Sequence, residues 1–508
     1  MGNATVSTAH EKNKRVVLNI ISNLSYEAVK IVFGFVLPRL YLVNFGSDVN
    51  GLDSTIKNIF AYLALLEAGV GLSAQYSLYH PVAIGDTDRI NSILASARRF
   101  YLRSGMIYTA LTLLFAVGYP LVVRTSLDYF TVFSVILLYG IPGIILFLWR
   151  GKYNAFLEVE GKKYILTTLQ TVTLIISNLL RLVFLLISDN LILIQATYCV
   201  PSIIQIFFII VYVRRHYGWI DWHAKPDHSA LSQKRSVLVH QISGCIFSNT
   251  DTVIISIMCG MNYASVYAVF SLFFANFQKV VTSFTNGLTF KFGQMFHTDF
   301  ERFKREFSLY ETVYYTLLFA AYTILTAFLM PVIRLYTSGI ADAAIYDNTV
   351  ALLLFAAVTA LTGTEAPMLQ QLYVAGKFDD TRNQAIWEMA INITVSVIAT
   401  WRFGLIGCLI GTVAALLYRN NALIIYTARR ILDRSCLQLY KKIAVNLALG
   451  AGIIMLLGTD SCEATSYLHV ILTVIPNALW IAAVFIAVNV LINLRECIAF
   501  VRAHRRRA

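Results

Sequence analysis

The chain has 508 residues, of which 57% are hydrophobic and 14% are charged, and its formal net charge is +13. This composition is typical of a membrane protein. A basic chain can indicate a nucleic-acid partner, but the cations here lie in short segments between apolar spans, which argues against nucleic acid.

Apolar segments long enough to cross a bilayer recur along the chain, since a spanning helix needs about 20 mostly apolar residues. We predict an all-α polytopic membrane protein with fourteen transmembrane helices, arranged as two pseudo-symmetric six-helix lobes and two accessory helices. The predicted spans are 16–37, 56–79, 100–123, 130–150, 164–187, 190–213, 236–258, 264–289, 309–333, 349–373, 384–402, 405–428, 439–457 and 467–491.

The distribution of lysine and arginine orients these spans. Of the 41 Lys and Arg residues, 32 fall in or beside the segments on one side of the membrane, whereas only Arg39, Arg124, Arg334 and Arg402 fall on the other. Cytoplasmic segments are enriched in these residues. We therefore predict that both termini are cytoplasmic.

An internal repeat relates the two lobes. The segment YNAFLEVEGKKY resembles QQLYVAGKFDD and maps Gly161 to Gly376, an offset of 215 (376 − 161), and Gly46 maps to Gly260 with an offset of 214 (260 − 46). Six spans per lobe give both lobes the same orientation, as in a parallel repeat. The predicted boundaries are an N-lobe at 1–213, a cytoplasmic linker at 214–232, a C-lobe at 233–432, and accessory helices with a basic tail at 433–508.

Polar side chains recur at helical spacing on the first, fifth, seventh and eighth spans. Such a stripe must meet water or another polar stripe inside a membrane. We predict a hydrated cavity between the lobes, and hydrogen bonding that only holds the helices together is the alternative. The predicted cavity-lining residues are Asn19, Asn23, Tyr26, Gln170, Ser177, Gln241, Asn276 and Asn286.

Charged residues within the spans bear on the transported substrate and on the coupling ion. Lys30, Arg181 and Lys279 lie on polar faces and suit an anionic ligand, because both residue types bind phosphate. Lys57 and Arg419 are expected to extend toward a membrane interface. The candidates for binding a coupling ion, either Na⁺ or H⁺, are Glu67, Asp251, Glu365 and Glu388.

No feature of the sequence indicates catalysis or a bound cofactor. Seven cysteines stand singly, without a CxxC pair or the spacing of a zinc site. The sequence also lacks a Walker loop, a GxSxG motif and an HExxH motif. We predict a transporter that is not an enzyme, uses no cofactor and does not itself hydrolyse ATP.

One stretch carries a family resemblance. From Phe45 to Pro81 the chain contains FGSDVNG, then LLEAGVG, then YSLYHP, and NTDTVIIS follows at Asn249–Ser256. This order resembles the Wzx-type polysaccharide flippases of the multidrug/oligosaccharidyl-lipid/polysaccharide (MOP) exporter superfamily. The resemblance implies a multi-pass protein of the bacterial cytoplasmic membrane.

The resemblance also implies a function and partners. The expected activity is alternating-access transfer of polyprenyl-pyrophosphate-linked oligosaccharides from the inner to the outer leaflet for surface polysaccharide biosynthesis. The expected partners are this lipid-linked glycan, membrane lipids, a polysaccharide polymerase and glycosyltransferases. A peptidoglycan lipid-precursor flippase and a cation-coupled multidrug exporter of the same superfamily are the alternatives.

Overall fold

The computed structural model describes residues 9–222, 224–227, 235–286, 289–377, 379–460 and 466–493, and all regular secondary structure in them is helical. The chain divides into two compact units. Unit 1 comprises the residues up to Asn249 together with Gly260–Asn262, and unit 2 comprises Thr250–Cys259 together with the residues from Tyr263 onward.

Unit 1 begins with a helix that contains two of the predicted spans. This helix is interrupted at Gly46, whose φ of 76° and ψ of −175° are not helical. Glycine adopts such a positive φ without steric cost. A π-helical turn at Leu146–Arg150 joins α3 to α4, so these two helices form one span. The helices are α1 (Ala9–Ile84), α2 (Thr87–Val122), α3 (Tyr129–Ile145), α4 (Gly151–Val159), α5 (Lys163–Ile187), α6 (Leu191–Ala196), α7 (Cys199–His216) and the first part of α8 (Arg235–Met258).

Unit 2 contains the remaining helices, and a second π-helical turn at Thr427–Ile431 ends its α14. The helices are α9 (Met261–Asn286), α10 (Thr289–Thr298), α11 (Phe300–Tyr336), α12 (Thr349–Ala375), α13 (Arg382–Phe403), α14 (Leu405–Tyr426), α15 (Cys436–Leu457) and α16 (Tyr467–Ile492).

The fourteen-span, all-helical architecture is confirmed. Ten helices of the described chain are long and apolar enough to cross a membrane on their own. The other predicted spans are the second half of α1 and helices α8, α9 and α13, and the part of α8 whose side chains are described, Ile242–Met258, is apolar but short. Some helices are longer than the spans: α2 begins at Thr87, since its first turns bury Ile90, Ile93 and Leu94 in a core cluster.

Pseudo-symmetry between the lobes is visible in their backbones. The repeat-related glycines Gly161 and Gly376 have φ values of 73° and 65°, and Gly46 and Gly260 have φ values of 76° and 99°. Each pair ends a helix or interrupts one at the same place in its lobe. A backbone that needs a positive φ there explains why glycine stands at both positions.

The segment that follows α7 packs against unit 1. The Asn91 side-chain oxygen accepts a hydrogen bond from the main-chain N–H of Asp221 (3.0 Å), and Ser92 Oγ donates to the main-chain oxygen of Lys225 (2.7 Å). The Trp222 ring meets the Tyr153 ring edge-on, with centroids 4.8 Å apart. This part of the linker is therefore held against α2 and α4.

A buried ionic group attaches the accessory helices to the rest of unit 2. Glu311 on α11 is fully buried, with Arg434 Nη2 at 2.5 Å and Lys442 Nζ of α15 at 3.8 Å from its carboxylate oxygens. Gln371 Nε2 on α12 donates to the same carboxylate at 3.1 Å. Two cations thus surround one acid at the junction of α11, α12 and α15.

We expect Glu311→Gln to destabilise the protein strongly. Removing one partner of a buried ion pair leaves uncompensated charge and typically costs about 3–5 kcal/mol. The midpoint of thermal unfolding in detergent should fall well below that of the wild type.

The matched control is Glu301→Gln, which removes a carboxylate that is 73% exposed and pairs with Lys304 at 3.1 Å. An exposed pair contributes at most about 1 kcal/mol. Equal unfolding midpoints for the two variants would contradict the role assigned to Glu311.

Candidate functional site

A buried carboxylate lies among four helices of unit 2. Asp251 on α8 is 2% exposed, and its Oδ2 accepts hydrogen bonds from Thr412 Oγ1 on α14 (2.6 Å) and from the Tyr267 hydroxyl on α9 (3.2 Å). Asn392 Nδ2 on α13 donates to Thr412 Oγ1 (3.1 Å). The Cys408 thiol on α14 donates to the main-chain oxygen of Asp251 at 3.7 Å. We call these five residues the Asp251 cluster.

Glycines bring α13 and α14 into close contact beside this cluster. The two helices are joined at Gly404, whose φ is 58°. A Cβ atom on Gly407 would lie 2.1 Å from the main-chain oxygen of Ala399, and one on Gly411 would lie 2.4 Å from the main-chain nitrogen of Ser396. Because the backbones approach so closely, short side chains on one helix reach polar atoms of the other.

Two oxygen atoms of the Asp251 cluster have no hydrogen-bond partner among the described residues. They are Asp251 Oδ1 and Asn392 Oδ1. No lysine or arginine in the described part of the chain forms an ion pair with Asp251, in contrast to the buried Glu311 and the half-buried Glu388. An ionised carboxylate is costly to bury without a counter-charge. The cluster therefore has the chemistry to take up a cation or a proton.

The charge of the cluster limits which cation fits. Within the residues that the structure describes, no three His, Cys, Asp or Glu side chains come together in a way that could hold a metal ion. A single carboxylate balances one positive charge, and carboxylate, amide and hydroxyl oxygens are ligands of hard cations. The Asp251 cluster fits Na⁺ or H⁺ better than a divalent metal ion.

A second buried group in unit 2 contains two of the other predicted acids. Arg419 Nε on α14 lies 3.4 Å from Glu388 Oε2 on α13, and Asn420 Nδ2 donates to Glu365 Oε1 on α12 at 3.3 Å. Arg419 is only 3% exposed and also donates to the main-chain oxygen of Thr381. The expectation that Arg419 extends to a membrane interface is therefore wrong, because its guanidinium is used inside the helix bundle.

The fourth predicted acid lies in unit 1. Glu67 on α1 accepts a hydrogen bond from the Tyr101 hydroxyl (3.3 Å) and interacts electrostatically with Arg150. Arg150 stands on the π-helical turn and donates to Gln205 Oε1, and Gln205 Nε2 donates to Thr173 Oγ1 at 2.6 Å. Glu67 therefore has a hydrogen-bond donor and a nearby cation within its own unit.

The three cations predicted to attract an anion differ in their surroundings. Lys30 Nζ lies 3.6 Å from Glu27, and both side chains are 52% exposed. Lys279 on α9 is also exposed, and its Nζ donates to Asn276 Oδ1 at 3.3 Å. Arg181 on α5 is 3% exposed. Anion binding by all three stays a prediction.

The predicted cavity-lining residues also differ in exposure. Ser177 is buried and donates to the main-chain oxygen of Thr197 at 3.0 Å, and Asn19 Nδ2 donates to the main-chain oxygen of Gly161 at 3.3 Å. Asn23 is exposed, and Tyr26, Gln170 and Asn276 are half-buried. The side chains of Gln241 and Asn286 lie outside the described residues.

Sequence reasoning missed four members of the Asp251 cluster: Tyr267, Asn392, Cys408 and Thr412. None of them belongs to a predicted polar stripe, and the spacing along one helix does not show which residues of another helix it contacts. The repeat contained a signal for two of them. Asn392 and Thr412 follow Ser177 and Thr197, another hydrogen-bonded pair, at the repeat offset of 215 (392 − 177 and 412 − 197).

No protein-family model matches the sequence, and no curated protein matches it. Solved structures do match. The chain is similar to the lipid II flippase MurJ in an inward closed conformation, with a TM-score of 0.69 and 14% identity, over 94% of this chain and 100% of MurJ.

Two multidrug transporters are also similar in structure. An inward-facing multidrug resistance MATE family transporter of the MOP superfamily gives a TM-score of 0.60 at 13% identity, over 82% of this chain and 99% of the transporter. The MATE multidrug transporter DinF-BH gives a TM-score of 0.53 at 14% identity, over 84% of this chain and 97% of that protein. This multi-pass membrane protein therefore has the fold of the MOP superfamily transporters.

Proposed function

We propose that this chain is a cation-coupled flippase of the bacterial cytoplasmic membrane. It transfers polyprenyl-pyrophosphate-linked oligosaccharides from the inner to the outer leaflet by alternating access. We infer ion coupling from the buried carboxylate of Asp251. This carboxylate has no cationic partner among the described residues, and its Oδ1 has no hydrogen-bond donor there. Its coupling ion is Na⁺ or H⁺.

The extent of the structural likeness supports a lipid-linked substrate. The match to MurJ covers 94% of this chain, so the unmatched remainder is shorter than the segment from Cys436 to Ile492 that holds the two accessory helices. The match must therefore include part of these helices. The match to the inward-facing MATE transporter covers 82% of this chain, and the remainder is long enough to leave both helices out.

The exposed cations support an anionic headgroup. Lys30 and Lys279 are both exposed on helices that carry polar stripes, and a lysine ammonium binds phosphate as a point charge. A pyrophosphate-linked lipid brings several negative charges and a hydroxyl-rich sugar. A cationic drug would be repelled by the same lysines, which disfavours a multidrug exporter.

Binding of the coupling ion gives a reason for the conformational change. A ligand shifts an equilibrium between two conformations only by its difference in affinity for them. An empty Asp251 cluster buries an unpaired carboxylate, whereas an occupied cluster is neutral, so the two occupancies stabilise different packings of α8, α13 and α14.

Glycosyltransferases that supply the lipid-linked glycan and a polymerase that consumes it are the expected partners.

A flippase for the peptidoglycan lipid precursor is the second candidate, and the likeness to MurJ favours it. Both substrates contain the same anionic lipid carrier, so the lysines do not separate them. Complementation does: a strain depleted of its peptidoglycan precursor flippase would grow with this chain only if the second candidate is correct.

Asp251→Asn should abolish the response to the coupling ion, because it removes the charge and keeps the shape of the side chain. For the wild type, NaCl should raise the midpoint of thermal unfolding above that in an equal concentration of choline chloride. If the ion is H⁺, the midpoint should respond to pH and not to NaCl. The variant should lose whichever response the wild type shows, together with ion-driven transport in proteoliposomes.

The control is Asp128→Asn at the exposed N-cap of α3. A hydrogen bond from the Thr131 hydroxyl lowers the pKa of Asp128, so this carboxylate is also ionised at neutral pH. Asparagine is an equally good cap, so the response to the ion should persist. An Asp251→Asn protein that keeps the response would refute coupling at Asp251.

Lys30→Ala and Lys279→Ala should each reduce transport of a polyprenyl-pyrophosphate-linked oligosaccharide at least tenfold, equivalent to about 1.4 kcal/mol of binding free energy. Folding should be unaffected, since exposed ion pairs contribute little to stability. The assay is transfer of labelled lipid across proteoliposomes, run in parallel with the peptidoglycan precursor and with a cationic dye.

Lys304→Ala serves as the control, because Lys304 pairs with the exposed Glu301 at the start of α11. Transport by this variant should equal that of the wild type. If the wild-type protein moves only the cationic dye, the chain is a drug exporter and the flippase proposal is wrong.

A further inference from the structure

The helix pairs α5–α6 and α13–α14 have the same register. Ser177 Oγ donates to the main-chain oxygen of Thr197, and Asn392 Nδ2 donates to Thr412 Oγ1. Each pair has a spacing of 20 (197 − 177 and 412 − 392), and the second pair follows the first at 215, the offset of the repeat. Thr197 therefore occupies in unit 1 the place that Thr412 occupies in unit 2.

The two threonine hydroxyls contact groups of opposite charge. Thr412 Oγ1 donates to the Asp251 carboxylate in unit 2, whereas Thr197 Oγ1 accepts a hydrogen bond from Arg181 Nε at 3.3 Å in unit 1. The repeat counterpart of Arg181 is Ser396 (181 + 215), a short side chain that donates to the main-chain oxygen of Cys408. Unit 1 thus places a guanidinium where unit 2 has a serine that is bonded to Cys408, a member of the Asp251 cluster.

The surroundings of Arg181 are those of a bound cation. Its side chain is 3% exposed, and the guanidinium carbon lies 3.6 Å from the centroid of the Tyr198 ring, a cation–π contact. Asp53 is within electrostatic reach and is itself paired with Lys57 at 2.5 Å. Two cations and one carboxylate leave this region of unit 1 with a positive surplus, which disfavours a further cation.

We propose that Arg181 is a covalently attached substitute for the coupling cation. In unit 1 the guanidinium of Arg181 permanently occupies the position that corresponds to the ion-exchanging Asp251 cluster of unit 2. The proposal rests on the proposed function, because it assigns all ion exchange to unit 2. It also assigns Arg181 a positioning role inside unit 1, in place of contact with the pyrophosphate of the substrate.

Chemical rescue tests this assignment. Arg181→Ala should lower the midpoint of thermal unfolding and leave a vacancy that free guanidinium ion can fill. Millimolar guanidinium chloride should then raise the midpoint of the variant, whereas NaCl and choline chloride should do so less, and wild-type protein should gain nothing. The control is Arg334→Ala, since Arg334 pairs with Asp347 and Asp460 at a site that is 38% exposed, where no rescue is expected.

A second pair of variants covers the case in which Arg181→Ala does not fold. Arg181→Lys keeps the charge and should retain transport within threefold of the wild type, whereas Arg181→Gln should lose at least tenfold. Equal transport by the two variants would overturn the proposal.

Inorganic pyrophosphate separates the proposal from anion binding. If pyrophosphate raises the unfolding midpoint of the wild type but not of Arg181→Lys, then Arg181 contacts the anion and the proposal fails. Failure of the proposed function is a different result, namely an Asp251→Asn protein that still responds to the coupling ion. If the proposed function failed in this way, rescue of Arg181→Ala by guanidinium would still show that Arg181 occupies a cation position.

Discussion

A charge buried among membrane helices needs a partner, and this requirement determines where the ionisable side chains of the protein lie. Glu311 is surrounded by Arg434 and Lys442, Arg419 faces Glu388, and Asp53 pairs with Lys57. Each pairing gives a counter-charge to an ion that would otherwise stand alone in a medium that solvates it poorly. Asp251 departs from the rule, because only neutral donors of the described chain contact its side chain. A departure of this kind is expected where a mobile ion completes the charge balance.

The spans and the turns of this fold follow from features that are local in sequence. Apolar length predicts where helices cross the membrane, and the glycines at positions 46, 161, 260 and 376 predict where the backbone takes a positive φ. The longer extent of α2 was not predictable from bilayer thickness, because its first turns are stabilised by a core cluster outside the predicted span.

The candidate site was only partly predictable, since periodicity along one helix defines a face and not the partner of that face. Asp251 was recognised as an acid within a span, but the cluster around it is completed by residues far along the chain, on α13 and α14. Lys30 and Lys279 share polar faces with their neighbours as expected. Arg181 shares such a face too, yet it stacks on Tyr198, a residue outside every predicted stripe. Contacts between helices decide these outcomes, and only the repeat carries information about them.

The repeat places hydrogen-bonded pairs at equivalent positions of the two units but changes their charges. Arg150 donates to Gln205 in unit 1, and at the offset of 215 (365 − 150 and 420 − 205) Asn420 donates to Glu365, so the donor and the acceptor are exchanged between the same two positions. At the other set of positions Ser177 and Asn392 both donate to the equivalent threonines, and the charge differs because Ser396 stands where unit 1 has Arg181. At these positions unit 1 carries the guanidinium of Arg150 or Arg181, whereas unit 2 carries Glu365 or the small side chain of Ser396, and the guanidinium of Arg419 in unit 2 is paired with Glu388. A cation from water is therefore attracted to unit 2, where the buried carboxylate of Asp251 has no counter-charge. In unit 1 the guanidinium of Arg181 already supplies the positive charge.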